Sequence, residues 1–393
     1  MTARPLALLL LVVGLGADGP PQTLVVRHDG PTARGVAVLA EIDPSIRPGD
    51  YLLTAPPTGE TAATATAWVE GDKIRFAAVF KTLETGEHRY ALNASTTAEG
   101  GMTLTADGPS RIKVAVGRRP FTEARADLGP KPILYPLVGP TGAAMTRAYP
   151  MADVKGEDRD HPHHRSLWFT HGLVNGVDFW SELPGHGAIK QRPDPATSTG
   201  LAVATLRTVD DWIGPDGTII AEDERVLRFY PNHSLDFEIT LKATRGPIKL
   251  GDTKEGTLGL RVASSMDVTR KLGGSITNAE GLKDQATWGK ASAWVDYRGP
   301  IDGKIVGVTI MDHPASFRHP TTWHVRDYGL FAANPFGYHD FGRQERGDHT
   351  IPAGGSSTFR YRIMLHDGSP TAEDLAAAYS AFARPPRIAL VGE

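Results

Sequence analysis

Short apolar stretches separated by turn-forming residues recur along this chain, and they restrict it to a fold built from strands. The sequence contains 43 glycines and 30 prolines in 393 residues, which disfavours a bundle of long helices. Residues 235–241 alternate apolar and polar side chains without interruption, as expected of a half-buried antiparallel strand. Further strands are predicted at residues 23–26, 35–42, 73–80, 112–116, 201–206, 226–230, 305–311 and 359–365.

One helix is predicted, close to the C-terminus. Thr371 is placed to cap it, and Asp374 follows at the spacing of a capping box. Leu375, Tyr379 and Phe382 then recur at helical spacing and form one apolar stripe, before two consecutive prolines end the segment. We expect this helix to cover a sheet face.

Turn formers are concentrated between residues 107 and 132, and they indicate a boundary between two β units. We therefore predict an all-β chain with a small β-sandwich domain at residues 20–110. A large antiparallel β-sandwich follows at residues 120–385, and a supersandwich of the sugar-mutarotase kind is one form it could take. Almost all histidines follow the boundary, so the chemistry is expected in the large domain.

The N-terminus has the order of a secretory signal peptide at residues 1–17. Arg4 precedes an apolar run at residues 6–15, and small residues follow. That run is shorter than the roughly 20 residues that span a bilayer. The sequence thus predicts a secreted or periplasmic protein with no membrane span in the mature chain, although an uncleaved anchor is the alternative. The chain has no cysteine, which excludes disulfides and thiolate metal sites.

Charge and motifs argue against several classes of partner. The formal net charge is −3 and no long basic run occurs, so no nucleic acid is expected. The sequence has neither a phosphate-binding loop nor a dinucleotide fingerprint, so no nucleotide cofactor is expected. It also lacks the His-Glu-x-x-His and Gly-x-Ser-x-Gly motifs. These absences favour histidine–carboxylate chemistry on a β scaffold.

Residues 160–172 contain four of the fourteen histidines, which are His161, His163, His164 and His171. Neutral imidazole is the commonest metal ligand and transfers protons readily near neutral pH. On an extended segment, His161 and His163 would share one face and His164 would lie on the other. The alternative is a set of hydrogen-bonded core histidines that brace the start of a strand.

Two later segments carry further candidate groups. Glu255 follows Lys254 in a segment bounded by Gly251 and Gly256, where glycine permits close approach of a ligand. Glu255 could bind a metal or act as a general acid or base, and the alternative is an exposed turn with a weak ion pair.

The second segment follows Trp323. His324 and Arg326 would share a face of an extended segment, with Asp327 next in the chain. That arrangement suits proton transfer beside an anionic or hydroxyl-rich ligand. The alternative is an internal hydrogen-bond network that holds strands together.

Aromatic and polar residues elsewhere could contact a sugar. Tryptophan gives sugar rings an apolar contact face, but most of Trp168, Trp180, Trp288, Trp294 and Trp323 are expected in the core. Asn175 and Asp178 could bind hydroxyls or a cation, or could simply form a hairpin turn. His313 should lie at a strand end, where a structural role is equally compatible with the sequence.

Several ordered phrases resemble a bacterial family of unknown function that carries the label methane oxygenase PmoA. They are YPLVGPTG at 135–142, the histidine-rich run, VNGVDFW at 174–180, GDTKEG at 251–256, WGK at 288–290, DHP at 312–314 and WHVRDYGLFAANPF at 323–336. The resemblance covers residues 120–366. It implies a secreted, β-rich protein associated with bacterial saccharide use. The methane monooxygenase subunit of that name is an integral membrane protein, whereas this chain lacks spanning segments.

The preferred hypothesis is a carbohydrate-active hydrolase, lyase or epimerase. Its catalytic candidates are His163, His164, His171, Glu255 and His324. Its substrate-binding candidates are Arg165, Trp168, Asn175, Asp178, Lys254, His313, Arg326 and Asp327.

Two other hypotheses stay open. One is a saccharide-binding module with structural histidines, and the other is a copper or iron oxidoreductase. A divalent metal would need about three imidazoles at roughly 2 Å from one ion. The enzyme hypothesis gains if its five catalytic candidates line one open pocket, and the module hypothesis gains if they are scattered and buried.

Overall fold

The structure is a computed structural model that describes residues 22–42, 44–97 and 99–391. The signal peptide predicted at residues 1–17 lies outside the described residues. The prediction of an all-β fold with one C-terminal helix is confirmed, since the described strands form three large antiparallel sheets and one two-stranded sheet. Within the described ranges, no helix has the length and apolar character needed to cross a membrane.

The first sheet has seven strands and joins both ends of the described chain. In spatial order they are β2 (Ala33–Ile42), β5 (Lys73–Leu83), β4 (Glu60–Glu70), β3 (Gly49–Ala55), β6 (Gly86–Ser95), β1 (Gln22–His28) and β26 (Arg387–Val391). Because β26 pairs with β1, the last described strand closes one edge of this sheet.

The second sheet has eight strands. In order they are β22 (Trp323–Val325), β23 (Leu330–Ala333), β18 (Gly256–Arg261), β11 (Leu167–His171), β10 (Ile133–Leu134), β9 (Arg119–Arg125), β8 (Arg111–Val116) and β7 (Met102–Ala106). The short strands β22, β18 and β11 carry many of the predicted site residues or begin beside them.

The third sheet has nine strands. In order they are β12 (Ala188–Gln191), β14 (Ala204–Ile213), β15 (Ile219–Tyr230), β16 (Ser234–Lys242), β25 (Ser356–Asp367), β21 (Lys304–Asp312), β20 (Trp294–Ile301) and β19 (Ser275–Asn278), with β13 (Ala196–Ser198) paired to β14. The two-stranded sheet consists of β17 (Ile248–Leu250) and β24 (His349–Ile351).

The eight- and nine-stranded sheets form a sandwich around one large apolar core. The period of two predicted for residues 235–241 places Phe237 and Ile239 of β16 in this core. Phe169 of β11 meets Phe359 of β25 across it, with ring centroids 5.4 Å apart. On the opposite face of β16, Asp236 is buried and accepts hydrogen bonds from Arg362, whereas Glu238, Thr240 and Lys242 are partly exposed.

The predicted strand at residues 201–206 begins later than expected, because β14 starts at Ala204. The backbone N–H groups of Leu201 and Ala202 donate to Asp50 Oδ1 and Thr66 Oγ1 of the seven-stranded sheet. Side chains of that sheet therefore accept the hydrogen bonds that these N–H groups would otherwise donate to a neighbouring strand.

The helix prediction is confirmed. Helix α1 (Ala372–Ala383) begins with a capping box between Thr371 and Asp374, and Leu375 is fully buried. Its apolar face packs with the core of the seven-stranded sheet. Three short 3-10 helices, Ser264–Met266, Val268–Arg270 and Asp284–Thr287, lie in loops.

Candidate functional site

The histidine-rich run is a turn rather than an extended segment. His161 has a positive φ of 42°, and β11 begins only at Leu167. The His161 ring stacks on His164 at 4.7 Å and meets His163 edge-on at 5.7 Å. The predicted separation of His164 from the other two is therefore wrong, because the turn at His161 brings all three rings together.

Two buried arginines, Arg147 and Arg261, hold the histidine-rich run in place. Arg261 donates to Nδ1 of His164 at 3.1 Å, and both Arg261 and Arg147 pair with Asp160. Burial lowers the pKa of His164 well below its usual value, so the ring is neutral and Nε2 carries its proton. The hydrogen bond from Arg261 thus fixes the orientation of the His164 ring. The residue is also buried, with 1% of its surface exposed.

Trp168 and Trp180 continue the cluster on the outer face of the eight-stranded sheet, together with Ile133, Leu330 and Ala332. Trp168 pairs across the sheet with Gly259, where an added Cβ would lie 2.4 Å from the indole. Only glycine at position 259 leaves room for the Trp168 ring, so packing explains this glycine of β18. Neither indole N–H has an acceptor among the described residues.

An ion-pair network that the sequence did not reveal lies beneath these rings. Lys131 is buried, and its Nζ lies 2.8 Å from Glu182 Oε1. Burial lowers the pKa of Lys131 to about 8. Arg165 Nη2 also lies 2.7 Å from Glu182 Oε2, so the guanidinium is already paired within the protein. Lys131 lies between two prolines, a context typical of a loop, and no local pattern indicates its burial.

His163 lies at the side of this network and is half-buried. Burial lowers its pKa to about 4, and the positive charge of Lys131 acts in the same direction. The ring is therefore neutral near pH 7 and is a weak base.

His171 lies inside the sandwich, on the same side of β11 as Phe169. Its Nε2 lies 2.8 Å from the Gly251 carbonyl, and its ring contacts Phe336 at 4.7 Å. Burial lowers its pKa to about 4. His171 is thus a hydrogen-bonded core histidine, which is the alternative that the sequence left open for this run.

The segment of Lys254 and Glu255 is bounded by glycines for reasons of packing. A Cβ at Gly251 would lie 2.5 Å from Leu173, and one at Gly256 would lie 2.6 Å from Nδ1 of His171. These glycines therefore leave room for side chains of the protein itself, which explains them without a ligand. Lys254 Nζ lies 3.3 Å from Glu255 Oε1, and both side chains remain partly exposed.

His324 is anchored to the same segment. Its Nδ1 lies 2.7 Å from the Lys254 carbonyl, so Nδ1 donates and Nε2 bears the lone pair. Burial lowers its pKa to about 4, and its ring lies 6.4 Å from that of Trp288. His324 therefore ties Lys254 and Glu255 to strand β22.

Arg326, Asp327 and Tyr328 follow β22 and line a pocket of about 270 Å³. The other lining residues are Thr269, Gln285, Trp288 and Val325. Arg326 lies over the rings of Trp288 and Tyr328, with its Cζ 5.6 and 5.5 Å from the two centroids. The indole N–H of Trp288 has no acceptor among the described residues. We call this the Trp288–Tyr328 pocket.

Tyr328 connects this pocket to the histidine-rich run. Its ring stacks on His161 at 5.1 Å, with 4° between the two planes. Burial raises the pKa of Tyr328. Glu255 is partly exposed and is not among the residues that line the pocket.

The remaining candidates lie elsewhere or serve turns. Asn175 has a positive φ of 49° and accepts from Lys249 N, so it forms the hairpin turn. Asp178 accepts from the backbone N–H groups of Trp180 and Ser181. His313 lies in a separate cavity of about 180 Å³ beside helix α1, with its ring 5.0 Å from that of Phe382.

The structure thus divides the predicted site. Arg326 and Asp327 line the Trp288–Tyr328 pocket, whereas His164, His171 and His324 are buried and none of them lines it. Four of the five tryptophans are core residues as predicted, and Trp288 is the exception. In the part of the chain that the structure describes, no three histidine, aspartate or glutamate side chains are grouped to hold a metal ion.

Comparison with known proteins adds little about activity. No curated protein matches this sequence. One similar solved structure is that of a protein in the Glycosyl Hydrolase Family 38 from Enterococcus faecalis, with 12% identity and a TM-score of 0.41. The match covers 95% of this chain and 47% of that one, so the chain spans about half of that protein's length.

A model for a family of unknown function, DUF6807, matches residues 103–380. This range contains strands β8 to β25 and therefore nearly all of the sandwich and the Trp288–Tyr328 pocket. The sequence resemblance predicted an uncharacterised family, which is confirmed, and the match carries no methane-oxygenase label. The chain belongs to family DUF6807.

Proposed function

We propose that this is an exported carbohydrate-active protein that binds a saccharide in the Trp288–Tyr328 pocket. The observation that carries the proposal is the lining of that pocket. Two aromatic rings lie beside a guanidinium, a carboxylate, an amide and a hydroxyl group. Sugars need this combination, because their C–H faces pack on rings while their hydroxyls require donors and acceptors. Export is proposed from the signal-peptide pattern at residues 1–17.

We assign proton transfer to Glu255. Burial lowers the pKa of His163, His171 and His324 to about 4, so these imidazoles are neutral and weakly basic near pH 7. The carboxylate of Glu255 is partly exposed, and its neighbour Lys254 accepts a hydrogen bond from His324, whose ring lies 6.4 Å from that of Trp288. Glu255 is therefore an accessible carboxylate outside the pocket lining, in addition to Asp327 within it, and it would serve as general acid or base in a hydrolase, lyase or epimerase reaction.

The test is a glycan-binding screen followed by turnover assays on each ligand that binds. Glu255→Gln should retain binding within about twofold, since the shape is kept, and should lose turnover by about 100-fold or more, as expected for a general acid or base. Glu84→Gln, which changes an exposed glutamate of the seven-stranded sheet, is the matched control and should change neither. Absence of binding to any saccharide would overturn the proposal.

A second function is favoured by one specific observation. His164, His171 and His324 are buried and hydrogen-bonded to the protein, as expected of structural histidines. The protein would then be a saccharide-binding module without catalysis. Binding with no chemical change of any ligand, by wild type and Glu255→Gln alike, would establish this function instead.

A further inference from the structure

We infer that the saccharide is acidic and that Arg326 binds its carboxylate or sulfate group. This inference rests on the proposed function, since it names the class of ligand for the same pocket. It depends on an observation that the proposed function does not require, which is the electrostatic isolation of Arg326.

Arg326 is a half-buried cation without a counter-charge. Among the described residues, its guanidinium forms neither an ion pair nor a hydrogen bond, and its side-chain contacts are the rings of Trp288 and Tyr328. Rings stabilise a guanidinium through its faces and leave its N–H edges unoccupied. The donor edges of Arg326 are thus unused by the protein.

Other arginines at similar depth pair with carboxylates or, in the case of Arg318, donate to backbone carbonyls. Arg165 is paired with Glu182 and Arg298 with Asp296, at 2.7 and 3.0 Å. Removing a cation partly from water costs free energy unless an anion or hydrogen-bond acceptors compensate. An arginine that is partly desolvated, lines a pocket and has no partner in the protein is therefore suited to an anionic ligand. Its planar fork matches the oxygens of a carboxylate or a sulfate.

The neighbouring groups divide the ligand into two ends. Arg326 is the one charged donor among the lining residues. Asp327 is the one carboxylate among the lining residues, and it can accept from sugar hydroxyls but would repel an anion. An acidic sugar would thus place its anion at Arg326, with its hydroxyls toward Asp327.

The size of the pocket limits the ligand. Its volume of about 270 Å³ lies just below the range of roughly 300–1,000 Å³ typical of pockets for drug-sized ligands. One sugar unit therefore fits, and further units of a chain would extend outside the pocket.

The experiment uses oligosaccharides in matched pairs that share one linkage and differ only in a C6 carboxylate or a C6 hydroxymethyl group. Galacturonate with galactose, glucuronate with glucose, and mannuronate with mannose form three such pairs, and a sulfated galactose oligosaccharide is added. Calorimetry on the full-length protein should give at least tenfold tighter binding of one acidic member than of its neutral partner. Added salt should reduce this preference.

Two substitutions locate the preference. Arg326→Gln should bring the affinities of the acidic and neutral members within about twofold of each other, while Arg326→Lys should retain part of the difference. Asp327→Asn is the matched control in the same pocket, and it should weaken the neutral ligand without reducing the preference for the acidic one. Thermal melting of each variant checks that it is folded.

The outcomes separate this inference from the proposed function. Equal affinity of wild type for the two members of every pair, with no tighter binding of the sulfated galactose oligosaccharide than of the galactose one, overturns the acidic ligand but leaves saccharide binding intact. Absence of all saccharide binding overturns both. Preference for the sulfated oligosaccharide supports the inference and assigns sulfate as the group, whereas preference for a uronate assigns carboxylate. A preference that survives Arg326→Gln overturns the role of Arg326.

Discussion

The histidine-rich run and the Trp288–Tyr328 pocket adjoin through Tyr328, but their polar groups differ in one respect. In and beneath the run, the carboxylates are paired, since Asp160 binds Arg147 and Arg261 while Glu182 binds Arg165 and Lys131. In the pocket, the guanidinium of Arg326 has no ion-pair or hydrogen-bond partner among the described residues.

This difference teaches how a functional group is recognised. The run is rich in histidine and arginine, yet most charges in and beneath it are already paired within the protein. The pocket has fewer such residues, but its guanidinium is unpaired. The unpaired charge of Arg326 at partial burial, and not the number of reactive residue types, is therefore the basis on which we propose a ligand for the pocket.

The largest expected effect lies in the aromatic cluster beneath the run. Trp168→Ala should lower the free energy of unfolding by about 3–5 kcal/mol, because it empties a fully buried site beside Gly259. Trp288→Ala should cost less, since this ring is only half-buried. Urea denaturation of both variants tests the comparison, and similar losses would show that the pocket is as structural as the cluster.

The next effect concerns the buried ion-pair network. Glu182→Gln leaves Lys131 and Arg165 without a counter-charge and should cost about 3 kcal/mol. Lys131→Met should cost less than about 1 kcal/mol, because Glu182 keeps Arg165 and an apolar side chain replaces a buried cation. Denaturation midpoints measure both, and a larger loss for Lys131→Met would argue for a dominant role of the lysine.

These two regions also show how far the sequence could be interpreted. The strand at residues 235–241 and the capped helix were predictable, because local periodicity and capping chemistry decide them. The start of β14 was less predictable, because side chains of the seven-stranded sheet accept hydrogen bonds from the backbone N–H groups of Leu201 and Ala202, which precede it.

Among the site residues predicted from the sequence, Arg326 and Asp327 line the pocket, but the sequence could not separate them from His171. His171 differs because side chains alternate between the two faces of β11, and His171 lies on the face that points into the core of the sandwich. Lys131 and Glu182 were missed, because their contact joins residues 51 positions apart and no local pattern encodes it.

The pH dependence of stability sharpens the comparison further. Burial lowers the pKa of His171 and His324 to about 4, against 6.5 in the unfolded chain. Between these values the unfolded chain binds protons that the folded chain does not, so the free energy of unfolding should decrease as pH falls from 6.5 to 4. The decrease is about 1.4 kcal/mol for each pH unit and each histidine.

Asp210 acts in the opposite sense, since burial and its neighbour Asp223 raise its pKa to about 7. The comparison of variants removes this contribution, because it is common to all of them. His324→Gln should flatten the slope measured by urea denaturation at pH 4.5, 5.5 and 6.5. His339→Gln, at an exposed position, should leave it unchanged. An equal slope in wild type and His324→Gln would remove His324 from the explanation.

The smallest expected effect distinguishes the two regions most directly. Arg326→Met should change the free energy of unfolding by less than about 0.5 kcal/mol or raise it slightly, because no ion pair is lost and a partly desolvated charge is removed. Arg147→Met should instead cost about 2–3 kcal/mol, since this buried guanidinium donates to Asp160 and to the His161 carbonyl. Denaturation of the two variants side by side is the measurement. If Arg326→Met were as costly as Arg147→Met, Arg326 would have to be bonded within the protein, and the pocket would lose the unused charge that distinguishes it from the histidine-rich run.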